Sequence, residues 1–89
     1  MTIATLAALR ALNDLIETGR MLEPVARRVC PPAAHELDGT LERLDAVRTR
    51  LVQDGADYLD EAWAFVDGGR RMIAAYGIQV AEVIGRARA

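Results

Sequence analysis

Residues 51–63, LVQDGADYLDEAW, support two opposite readings, and the choice between them decides the fold. Locally the stretch looks like one helix stopping and another starting. Gly55 is a natural helix-ending residue, because without a Cβ it enters backbone conformations closed to other residues. Asp57 and Asp60 resemble the capping arrangement of a new helix. The apolar spacing says the reverse. Steps of seven from Leu37 reach Leu44, Leu51, Tyr58, Phe65 and Met72. Steps of seven from Leu41 reach Arg48, Gly55, Ala62, Gly69 and Tyr76. Phase is kept across Gly55 and Gly68-Gly69, as in one long helix with small residues at a close contact.

The segments before and after decide in favour of a turn. A first helix is predicted to start at Thr2 or Thr5, either of which can cap it. Its stripe runs Leu9, Leu12, Ile16, Gly19, Leu22, Ala26, Val29. Pro24 lies inside that run and removes the hydrogen bond to the carbonyl of Arg20, so a kink or restart is expected within 19–24. Pro31-Pro32 is the firmest boundary, because Cys30 before it is pushed towards extended geometry. A second helix then starts near Pro32 or Ala33, with Leu37, Leu41, Leu44 and Leu51 as its stripe and Val47 and Val52 alongside. A first helix of about 27 residues is ~40 Å long and, folded back at the prolines, covers the chain only to about residue 60. Beyond that lie Trp63, Phe65, Met72, Ile73, Tyr76 and Val80. Leaving that face in water forfeits ~1.5–3 kcal/mol per large side chain. Either a second copy covers it or the chain turns at 54–57 and lays a third helix on the first two. The turn is favoured, because it gives well-matched helices of about 27, 22 and 30 residues. Asp67-Gly68-Gly69 is a second possible break. The expected fold class is all-α, a three-helix bundle or long helical hairpin, forming a single domain over 1–89.

Composition narrows the function classes. A chain of 89 residues buries only ~60% of the surface its unfolded form exposes, and its single cysteine, Cys30, provides no disulfide. Association is the obvious route to further burial. The net charge of -2 gives no electrostatic case for nucleic acid. All 11 basic residues are arginine, which fits the codon usage of a GC-rich bacterial genome. The opening MTIATLAAL lacks a basic region ahead of its apolar run, and the uncharged run 72–81 is about half of a membrane span. The expectation is a cytoplasmic chain with no membrane contact.

No set of side chains has the spacing of a catalytic or metal site. His35 is the only histidine, and Cys30 has no clustered partner and reads as a small buried hydrophobe. Asp54, Asp57, Asp60 and Glu61 form the densest run of like charge and read as an acidic helix N-terminus facing the macrodipole. Their spacing is not that of a calcium loop. Glu23 and Arg27, Asp67 and Arg71, and Glu82 and Arg86 are spaced for surface pairs. Arg43 and Arg50 lie a heptad apart. Arg48 is the exception, a charge on an apolar stripe, placed to snorkel or to meet a carboxylate across an interface.

LAALRALNDLI, residues 6–16, resembles the opening helix of small all-helical chorismate mutases, and that resemblance implies a substrate-carboxylate role for Arg10. The family's later lysine has no counterpart, since the chain contains none. In length the chain is similar to small secreted helical proteins of type VII systems, but Trp63 is followed by Ala64-Phe65 rather than that family's Trp-x-Gly turn.

The residues together predict a non-enzymatic helical module working through protein–protein contact. It would act as a homodimer or as a subunit, adaptor or inhibitor of a larger bacterial or phage assembly. No cofactor or metal is expected. The predicted partner-binding residues are Arg48, Tyr58, Trp63, Phe65, Met72 and Tyr76, with the core as the competing place for the apolar ones. A small helical enzyme with an arginine-lined pocket is the alternative, and a DNA-binding helix-turn-helix is third.

Overall fold

The computed structural model describes residues 1–89 as three α-helices in one rod of 50 × 17 × 16 Å. α1 is Ile3–Val29, α2 is Pro31–Asp54 and α3 is Leu59–Arg88. A short 3-10 turn, Gly55–Tyr58, joins α2 to α3. No strand is present.

Each boundary has a local cause. Thr2 caps α1, its hydroxyl accepting from the Thr5 N–H at 3.1 Å. Cys30 alone links α1 to α2, with φ -150° and ψ 73°, outside the helical region that the following proline disfavours. Its N–H donates to Ala26 O at 2.7 Å, and its carbonyl accepts from Ala34 N–H at 3.2 Å, so both helix ends are satisfied across a one-residue corner. Pro31 and Pro32 fall in the first turn of α2, where their missing N–H groups cost nothing.

Gly55 decides the fold as its local signals predicted. It has φ 60° and ψ -133°, the only positive φ in the chain, and its N–H closes α2 on Leu51 O. This backbone is reserved in practice for glycine. The continuous helix across Gly55 is therefore excluded. The predicted aspartate capping at the restart is corrected. Tyr58 occupies the N-cap position of α3 with no side-chain cap bond, and the 3-10 turn makes the junction instead. Asp60 and Glu61 do lie in the first turn of α3, on the favourable side of its dipole.

Two expected irregularities do not interrupt the chain. α1 continues through Pro24 without a stop. Pro24 and Arg20 are both exposed, so the carbonyl that loses its donor can turn to water. Gly19, on the predicted apolar stripe, is a packing position: a Cβ there would meet Leu41 Cδ2 at 2.6 Å. α3 likewise continues through Gly68-Gly69.

The core runs the length of the rod. α1 contributes Ala8, Leu12, Leu15 and Ile16; α2 contributes Leu37, Leu44, Val47 and Leu51; α3 contributes Ala62, Val66, Ile73 and Tyr76. A smaller cluster of Ala26, Ala34 and Val80 seals the end beside Cys30. Cys30 itself is half-buried against both clusters. Gly69 lets α3 lie close on its neighbours, since a Cβ there would meet Leu15 Cδ2 at 2.8 Å and Leu44 Cδ2 at 3.1 Å. The α2 stripe needs one correction: Val52 is 55% exposed, because it faces the open side of the α1–α2 pair.

Candidate interaction surface

The third helix settles where the aromatic and sulfur side chains go. Its inward row is Ala62, Val66, Gly69, Ile73, Tyr76 and Val80, stepping four and three. Phe65 and Met72 sit beside that row on the α2 side and are 43% and 39% exposed. Between them lies Gly68, where a Cβ would find nothing within 4 Å. Ala75 continues the exposed apolar row.

Two shallow depressions adjoin at Phe65. One, of about 130 Å³, is lined by Thr40, Arg43 and Leu44 from α2 and by Phe65, Gly68 and Met72 from α3. The other, of about 270 Å³, lies between Arg43, Ala46, Arg50, Tyr58 and Phe65. Each is smaller than the ~300–1,000 Å³ of a typical small-molecule site. Together they form one open groove along the α2–α3 seam. Arg50 covers the Tyr58 ring at 4.9 Å from its centroid and donates through Nε to Asp54 Oδ2 at 3.1 Å. Arg43 donates through Nη2 to the Thr40 hydroxyl at 3.2 Å. That hydroxyl also donates to Glu36 O and lies 3.4 Å from the Tyr76 hydroxyl.

The six predicted partner-binding residues separate accordingly. Tyr58, Phe65 and Met72 share the α2–α3 groove. Tyr76 does not: it is buried, its ring in the core and its hydroxyl beside Thr40. Trp63 is half-buried against the core, and two positions before Phe65 on a helix it points to a different side. Arg48 belongs to another face, between α1 and α2. It pairs with Asp45 on its own helix and donates to Asn13 Oδ1 at 3.0 Å, so no carboxylate from outside is needed to hold it. Arg43 and Gly68 are groove residues that spacing alone did not single out for contact. The signal for Arg43 was its heptad relation to Arg50.

The α1–α2 face holds the larger trough, about 470 Å³, lined by Leu9, Asn13, Arg48, Thr49, Val52 and Gln53. Its only charged lining group is Arg48, and the Thr49 hydroxyl is spent on Asp45 O at 3.1 Å. Arg10 is exposed and lines none of the four depressions. No three His, Cys, Asp or Glu side chains converge as a metal site would require. No helix is long and apolar enough to cross a membrane.

Comparison with protein-family models, with curated proteins and with solved structures returns no match.

Proposed function

We propose that the chain is a non-enzymatic helical interaction module whose contact surface is the α2–α3 groove. The observation that carries this reading is the exposed row on α3. Phe65 and Met72, with Gly68 and Ala75 beside them, form a second apolar stripe on a helix that already buries its first stripe in the core. A helix of a self-sufficient bundle needs one apolar stripe, and a second one is apolar surface held for another chain. Phe65 and Met72 are also the residue types that interfaces favour at their centre. The partner is a protein in a bacterial or phage assembly.

The test is site-specific photocrosslinking in the native host. Phe65 is replaced by photoreactive benzoylphenylalanine, with Glu17 on exposed α1 as the control position. Discrete adducts with a polypeptide at position 65 and none at 17 are expected. A chain that gives no adduct at 65, or the same adducts at both positions, is not working through this groove.

A further inference from the structure

The reading of the groove as a docking surface, on which this inference rests, leaves the occupant open. The charges of the groove narrow it. Around Phe65 the only charged lining side chains are Arg43 and Arg50; no carboxylate lines either depression. Arg50 is already neutralised by Asp54. Arg43 enters no ion pair, and neither does Arg71, next to Met72 on the exposed side of α3. Beside the row, Arg43 and Arg71 thus lack an ion-pair partner on their own chain, while Glu61 stands one turn before Phe65 at the Tyr58 end. Guanidinium pairs best with a carboxylate, through two parallel hydrogen bonds.

We infer that the groove takes an acidic amphipathic helix. Its apolar stripe lies over Phe65, Gly68 and Met72, and its flanking carboxylates face Arg43 and Arg71. A helix suits the site because the groove runs between two helices, and the chain has no sheet edge on which an extended peptide could add a strand. From Tyr58 to Met72 the groove is ~21 Å long, about four turns of a partner helix. The open space at Gly68 admits a large side chain or a close backbone.

A second copy of this chain fits less well. With a two-fold axis along the rod, α2 of each copy faces α3 of the other, and Arg43 meets the neighbourhood of Arg71. With the axis across the rod at the level of Arg43, α2 faces α2, and Arg43 meets its own counterpart. Both of these arrangements bring like charges together, which costs specificity and affinity.

The test is a titration of the full chain, followed by anisotropy, with two fluorescein-labelled helical peptides of about five turns. Both carry the same leucine stripe. One has glutamate at the flanking positions and the other has lysine. The glutamate peptide is expected to bind about tenfold tighter. Arg43→Glu should reverse that preference, and Met72→Asp should abolish binding of both, with helical content unchanged in each variant. Equal affinity for the two peptides, or a preference that survives Arg43→Glu, overturns the inference. If neither peptide binds while position 65 still crosslinks to another protein, the acidic helix is wrong and the docking surface stands. If position 65 crosslinks only to further copies of the same chain, the groove is a self-association surface and the inference is likewise overturned.

Discussion

Two neighbouring rows on α3 differ by one position and meet opposite fates. Val66, Gly69 and Ile73 face the other two helices and are buried. Phe65, Gly68 and Met72, each one residue earlier, face the α2 flank and solvent. The glycines make the contrast plain. At Gly69 a Cβ would press on Leu15 and Leu44, whereas at Gly68 it would meet open space. Hydrophobicity alone does not separate the rows, since the exposed one holds the larger side chains. What separates them is the face each presents to α1 and α2 once the chain has turned at Gly55–Tyr58.

The largest expected effect probes burial directly. Ile73→Ala should cost ~2–5 kcal/mol, the range for an aliphatic side chain removed from a closed core. Met72→Ala, one position away, should cost about 1 kcal/mol or less, because much of that side chain already meets water. Urea denaturation of both variants checks this. Comparable losses would place Met72 in the core and remove the contrast.

The next effect concerns the turn that sets the rows. Gly55→Ala forces a Cβ into a backbone region that other residues avoid, and stability is predicted to fall by ~1–3 kcal/mol with little change in oligomeric state. A variant that melts higher would mean that α2 and α3 are one helix and that the inward row has been misassigned.

The glycine pair gives the sharpest contrast. Gly69→Val overpacks the contact with Leu15 and Leu44 and should destabilise by ~1–3 kcal/mol. Gly68→Ala, in open space within a helix, should stabilise the free chain by ~0.5–1 kcal/mol. Thermal melts of opposite sign are the expected result; melts of the same sign would show that the two positions share an environment. If Gly68 also provides for close approach of a partner, the alanine variant should crosslink less from position 65 although it is the more stable protein.

Much of the fold is legible in the sequence. Three-and-four spacing gives helices throughout, Pro31-Pro32 marks one corner, and Gly55 marks the other, because proline and glycine act on the backbone of their own position whatever surrounds them. The same local logic offers breaks at Pro24 and Gly68-Gly69 where the helices run on. A helix held on both sides of a proline or glycine by packing stays helical, because tertiary contacts override propensity. Half of the candidate site is legible too: the row from Tyr58 through Phe65 to Met72 appears as steps of seven. Tyr76, Trp63 and Arg48 are indistinguishable from contact residues by type and spacing, yet the structure gives them to the core, to a half-buried flank and to the α1–α2 face.

The sequence by itself determined that the chain is helical throughout and marked where both corners fall, at Pro31-Pro32 and Gly55. Only the tertiary structure decided which heptad row faces inward. Before the turn, the row of Leu37, Leu44 and Leu51 is buried, while Arg48 in the other row meets solvent. After it the roles exchange: Ala62, Gly69 and Tyr76 are buried, and Phe65 and Met72 are exposed. Counting by sevens assumes one continuous helix. A positive φ at Gly55 and a 3-10 turn reverse the chain and reset its angular phase, so a row that keeps its spacing across the turn changes the face it presents.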